Sequence, residues 1–138
     1  MSDRGSAPGS LADAGRLLLR VTLAGLLLFH GVDKMIHGVA WMAGPLARFH
    51  LPPWIAYGAY VGEVVAPLLV LVGVLTRLAS LVIVVNMVMA LVLAAGRFFF
   101  TINRTGGWAI ELEAFYLLTA VTVVLLGPGR WALAPGRR

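Results

Sequence analysis

Apolar residues fall into four blocks along the chain, Leu17 to Ile36, Trp54 to Val74, Leu78 to Ala95 and Trp108 to Leu126, separated by short polar or glycine- and proline-rich breaks. Each block is close to the roughly 20 residues that a helix needs to cross hydrocarbon. The pattern predicts an all-α membrane protein, a four-transmembrane-helix antiparallel bundle. The breaks carry the chemistry of helix ends. "HLPPW" places two prolines at the start of the second helix, "TR" (Thr76, Arg77) reads as a two-residue hinge making helices two and three a hairpin, "GRFFFTINRTGGW" joins the third to the fourth, and "GPGR" stops the fourth. Trp54, Trp108 and Trp131 sit at block edges, where indole rings favour the interface. The opening "MSDRGSAPGSLADAG" is small and polar, so residues 1–15 are expected as a flexible cytoplasmic tail, 16–131 as the transmembrane domain and 132–138 as a short cytoplasmic tail.

Composition supports a bilayer as the solvent: 60% of residues are hydrophobic and 12% charged, with a mean hydropathy of +0.92. A net charge of +5 in a soluble chain would suggest nucleic acid, but these arginines stand singly between apolar blocks rather than on one face, and read as topology signals. An even number of spans puts both termini on one side. That side holds seven basic residues (Arg4, Arg16, Arg20, Arg77, Arg130, Arg137 and Arg138) and the other holds four (Lys34, Arg48, Arg97 and Arg104), so both termini are expected in the cytoplasm. With no cysteine, the chain has no disulfide, dithiol relay or thiolate metal site. The first block is not a signal peptide, because His30, Asp33, Lys34 and His37 would fill the region before the nearest small-residue cleavage pattern, Gly38 to Ala40.

"FHGVDKMIHG", Phe29 to Gly38, concentrates charge at the end of an otherwise oily helix. A rise of about 1.5 Å per residue sets His30 about 20 Å and Lys34 about 26 Å up a core about 30 Å thick, while Glu63 lies about 14 Å below the outer face. Glu111 and Glu113 lie about 5 to 8 Å below that face. Five ionisable groups, His30, Lys34, Glu63, Glu111 and Glu113, thus collect in the outer half as a candidate ligand-binding pocket. Depth matching pairs Lys34 with Glu111, and His30 with Glu63 or Glu113; Arg97 is a further candidate partner. Pro67, four residues after Glu63, cannot donate to the Glu63 carbonyl, which predicts a bend there. Gly58, Ala59 and Gly62 would let a neighbouring helix approach closely.

Structural readings stand beside these. Asp33, Lys34 and His37 also fit an interfacial cap with the lysine reaching the headgroups, and Arg20 fits snorkelling to the cytoplasmic surface. Asn86 fits interhelical hydrogen bonding, and Met87 and Met89 fit packing rather than metal ligation. His30, His37 and His50 match no standard metal or haem spacing. For Glu63 a functional site is the default, since an intramembrane carboxylate is expensive to keep charged.

The series "LLLRVTLAGLLLFHGVDKMIHG", "YVGEVVAPLLVLVGVLTRLASL" and "GGWAIELEAFYLLTAVTVVLLGPGRWAL" resembles the DoxX family of small four-helix bacterial membrane proteins over nearly the whole chain after the tail. The matching elements are Arg20 and the "HG..K" of helix one, Glu63 with the "G.LTR" turn, and the "GGW..E" opening and "GPGR" close of helix four; "GPGRWALA" lacks the serine and aspartate common after such a turn. The resemblance implies a bacterial cytoplasmic (inner) membrane location and similarity to the membrane part of a thiosulfate:quinone oxidoreductase or to accessory partners of redox enzymes. It leaves three readings open. In the first the chain is a non-catalytic membrane subunit or accessory partner of a redox complex, without an intrinsic cofactor, with a quinone as candidate ligand: His30 or Lys34 would hydrogen-bond a carbonyl, and Glu63 or Glu113 would exchange a proton. The second is a small-molecule or proton-coupled carrier using the same residues; the third is an assembly scaffold. Expected partners are the lipid bilayer and a redox-enzyme subunit, with no nucleic acid; a homo-oligomer is compatible.

Overall fold

A computed structural model describes residues 9–134, with side chains described for 11–94 and 99–134. The described residues are built from helices: α1 (Gly9–His37), a short α2 (Ala43–Ala47), α3 (Pro53–Val72), α4 (Thr76–Phe98) and α5 (Glu111–Leu126). The long helices α1, α3, α4 and α5 pack on one another around one core that includes Leu23, Leu27, Val70, Ile83, Tyr116 and Val123. Helix α4 shows why such a sequence packs this way. Ala79, Ile83 and Met87 point inward, whereas Leu78, Leu81, Val85, Val88 and Val92 are exposed, so one stripe of helical period is buried and the rest of the helix presents a large apolar exterior. An apolar exterior of this kind is stable against lipid and unfavourable against water.

Among the described residues two helices, Pro53–Val72 and Thr76–Ala94, are long and apolar enough to cross a membrane on their own. Helix α5, with 16 residues, is shorter than the roughly 20 of a full span. Helix α1 has 29 residues but carries Arg20, Asp33 and Lys34. The expected tail boundary at residue 15 falls inside α1, because that helix begins at Gly9 and its first turns are tied down. Asp13 is buried, accepts from Arg16 at 2.9 Å and from the backbone N–H of Arg130 at 3.2 Å. The C-terminal boundary moves likewise, since Leu133 and Ala134 donate to the carbonyls of Val72 and Gly73. Residues 1–8 and 135–138 of the expected tails lie outside the described residues.

Helix α3 is not one uniform helix. It opens as a 3₁₀ turn over Pro53–Tyr57, passes through α geometry at Gly58–Tyr60, widens into a π segment at Val61–Val65 and closes as α over Ala66–Val72. The π segment is where the proline was expected to act. The Ala66 N–H donates to Val61 instead of Gly62, so the ladder has already slipped by one residue when it reaches Pro67, which has no N–H. The disruption expected at Glu63 takes the form of a register slip.

The C-terminal end of α3 satisfies each of its last carbonyls. Gly73, at φ +79°, lets its own N–H reach Val70 and the N–H of Val74 reach Leu69. Arg20, only 1% exposed, donates Nε to Val70 O at 2.9 Å and a terminal nitrogen to Leu71 O at 3.0 Å. Its other terminal nitrogen binds the carbonyls of Pro128 and Trp131 at 2.8 and 3.1 Å. Snorkelling is therefore wrong for Arg20: the fold turns it inward, where its fork of donors matches carbonyls left over at the end of α3 and in the loop after α5. Helices α3 and α4 do form a hairpin, but the turn is Gly73 to Leu75, with Leu75 at φ 47° and Thr76 already in α4.

Candidate functional site

One stripe of α1 runs Arg20, Leu23 and Ala24, Leu27, Gly31 and Lys34, at spacings of three and four, and faces α3 and α5. At its C-terminal end Lys34 Nζ donates to Glu63 Oε2 in an ion pair whose side chains are 15% and 7% exposed. The other carboxylate oxygen accepts from Asn86 Nδ2 of α4 at 3.1 Å. One buried carboxylate thereby joins three helices. Tyr60 Oη donates to the Lys34 carbonyl at 3.1 Å and holds α3 against the end of α1.

Two glycines permit this approach. A Cβ on Gly31 would collide with the Glu63 carbonyl, and one on Gly62 with the Asn86 side chain. The Glu63 carbonyl is the acceptor that Pro67 leaves without an α-helical donor, and Gly31, having no Cβ, lets α1 approach that oxygen closely. Gly58 has nothing within 4 Å and plays no such part.

Behind the ion pair lies a cavity of about 350 Å³, lined by His30 and Leu27 of α1, Glu63, Asn86, Met87 and Leu93 of α3 and α4, and Glu113 and Tyr116 of α5. Its remaining cover is the segment between α1 and α3, which contributes Trp41, Met42, Pro45 and Arg48. That segment is held by a second small core of Val39, Leu46, Ala56 and Ala59. His30 meets Tyr116 edge to face at 5.7 Å, with Tyr116 Oη 3.5 Å from His30 Nε2. Glu113 lies one turn before Tyr116 on the cavity side and makes no hydrogen bond or ion pair among the described residues.

Four of the five sequence-derived site residues, His30, Lys34, Glu63 and Glu113, line this cavity. Glu111 does not: it starts α5, leans back over Gly107, and accepts from Asn103 Nδ2 at 3.3 Å in the loop before the helix. The pairing also differs from the depth-matched one, for Lys34 binds Glu63 and not Glu111. Counting Cα rises set those two about 10 Å apart. In antiparallel helices, however, each side chain leans toward its own N-terminus. Lys34 therefore points down the bundle and Glu63 points up, and the two leans close the gap. The same lean carries Glu111 out of the cavity into its preceding loop. The side chain of Arg97, a further expected partner, lies outside the described residues.

Tyr116 and the segment residues Trp41 and Arg48 were not legible as site members from local pattern. Tyr116 could have been found from its three-residue offset from Glu113, which places both on one helical face. Nothing local marks the segment, whose Val39 and Leu46 are buried against α3.

No curated protein and no solved structure matches the chain. The DoxX family model matches residues 15–96, which include Arg20, the His30–Gly31–Lys34 motif, Glu63 and Asn86 and stop before Glu113 and Tyr116. This match covers more than half of a chain with an apolar exterior and two helices fit to cross a bilayer, and the chain therefore belongs to the DoxX family of membrane proteins.

Proposed function

We propose that this chain is the membrane subunit or accessory partner of a redox complex in a bacterial inner membrane, and that the cavity beside Lys34 and Glu63 holds a quinone ring. The observation that carries the reading is the cavity itself: about 350 Å³, with mostly apolar walls and a few converging polar groups, within the roughly 300 to 1,000 Å³ usual for small-molecule sites. Lys34 has three donors and directs one to Glu63, leaving the ammonium able to hydrogen-bond a carbonyl oxygen. Tyr116 and His30 offer a second hydrogen-bonding pair on the opposite wall. Glu113, without a cationic partner among the described residues, is suited to give or take a proton as a bound ring changes oxidation state. The chain supplies position, hydrogen bonds and a proton; electrons pass to and from a partner enzyme.

In this reading α1, α3, α4 and α5 all cross the bilayer. The first turns of α1 and the loop after α5, which meet at Asp13 and Arg130, then share the cytoplasmic side. Native mass spectrometry of the protein extracted in lipid tests the reading. A quinone adduct on the intact chain, lost in Glu63→Gln and Tyr116→Phe variants that still accumulate in the membrane, is expected. An intact chain that never carries quinone, with Glu63→Gln lowering only its abundance, would leave the charge cluster a purely structural pin.

A further inference from the structure

The cavity wall is not closed, and the residues at its opening are of a particular kind. Among the lining residues the exposed ones are His30, Trp41, Arg48 and Leu112, with Trp41 at 64% and Leu112 at 46%. They come from α1, the segment between α1 and α3, and α5, so the mouth lies on the flank of the bundle between α1 and α5. The segment between α1 and α3 puts the charged Arg48 beside Trp41 at that mouth, while the α1 and α5 faces that flank it are apolar. On α5, Leu112 begins an exposed stripe continued by Phe115 and Leu118 at helical spacing. On α1, Leu26 and Phe29 stand exposed beside His30. These surfaces have the character of the lipid-facing exterior of α4, so a molecule leaving by this route meets hydrocarbon on both sides.

The charges inside set the nature of the head group. Among the described wall residues, Lys34 and Arg48 are offset by Glu63 and Glu113, and Lys34 is already paired with Glu63. An ionised head would give up its hydration without meeting a net counter-charge, whereas a neutral head with oxygen acceptors would meet the donors of Lys34, His30 and Tyr116.

We infer that the cavity is a lateral port: it takes the neutral, acceptor-bearing head of a long-chain amphiphile directly from the bilayer, while the chain trails out between Trp41 and Leu112 into lipid. The inference rests on the ligand cavity proposed above and adds the class of ligand and its route. It has a quantitative consequence. When the tail stays in lipid, it is indifferent to binding, so affinities referred to concentration in the bilayer should be alike for a tailed and a tail-less ring. Were the mouth open to water instead, every methylene drawn out of hydrocarbon would weaken binding about fourfold.

The test uses the intact chain in lipid nanodiscs, titrated calorimetrically against empty discs with two probes, a tail-less dimethoxy-methyl-benzoquinone and the same ring with a decyl tail. Dissociation constants within a few fold of each other, on the bilayer scale, are expected. Tail-less binding with a hundredfold or greater loss for the decyl ring would overturn the lateral port and leave the cavity reading standing. Failure of both rings to bind would overturn both. Because the chain has no cysteine, a nitroxide on Leu112→Cys gives an independent readout. Collisions with oxygen should exceed those with a water-soluble nickel complex, and the reverse would place the mouth in water and end the inference.

Discussion

Lys34 and Glu63 illustrate how much of this molecule turns on single side chains. A buried ion pair is weak grounds for stability, yet removing one partner strands the other charge, at about 3 to 5 kcal/mol in soluble-protein precedents. Lys34→Met should therefore lower thermal stability in detergent by about that amount, while the double variant Lys34→Met with Glu63→Leu should recover most of it; failure of the second change to rescue the first would mean the pair is not isolated as described. Gly31 makes a sharper case at the same scale. Gly31→Ala forces a methyl into the Glu63 carbonyl, and overpacking of this kind typically destabilises by about 1 to 3 kcal/mol. Gly25, six residues earlier on the same helix, has nothing within 4 Å of its missing Cβ. Gly25→Ala should instead stabilise by roughly 0.5 to 1 kcal/mol, the ordinary gain of alanine over glycine within a helix. Opposite signs in parallel thermal melts are the expected result.

At the scale of the element, α3 carries the site because it is irregular. A single π turn inserts one extra residue and rotates the helix before it by about 100° relative to the helix after it. Pro67 makes that turn tolerable, since the donor an α ladder would need at position 67 does not exist. Pro67→Ala supplies the donor, removes the ring clash and favours closing the ladder. In an ordinary helix this change would stabilise by about 3 kcal/mol. Here it should give much less, or a loss, and should weaken the coupling between Lys34 and Glu63 in a double-mutant cycle. A gain near the full propensity value with coupling intact would show that the π segment does not position Glu63.

For the whole molecule, the two ends of the bundle are secured by different means. The site end is held by an ion pair and an apolar plug around Leu46; the opposite end is held by Arg20, which joins α1, the end of α3 and the loop after α5 through four carbonyls. Arg20→Lys retains the charge but has only a point donor where a planar fork is used. Buried acceptors left without donors cost about 1 to 3 kcal/mol each, so at least that loss is expected, together with faster proteolysis after Gly127. Since the site lies at the far end of α1, Arg20→Lys should leave quinone occupancy per folded molecule unchanged. A variant as stable as the parent would remove Arg20 from its role as a clasp.

The linear pattern was enough for the helical class, the family and four residues of the cavity wall out of five proposed, because block length, Pro and Gly punctuation and the rarity of charge in hydrocarbon are local properties of the chain. It also placed the irregularity of α3 at Glu63, since Pro67 acts only four residues away. Three things were decided by the folded arrangement. The partner of Lys34 depends on the lean of side chains from antiparallel helices. The inward turn of Arg20 depends on carbonyls 50 and more positions away along the chain. The cavity depends on a segment, residues 39–52, that carries no periodic signal and whose Val39 and Leu46 are buried against Ala56 and Ala59 of α3. Each is a contact between residues distant in sequence, and such contacts become specific only when the helices have packed.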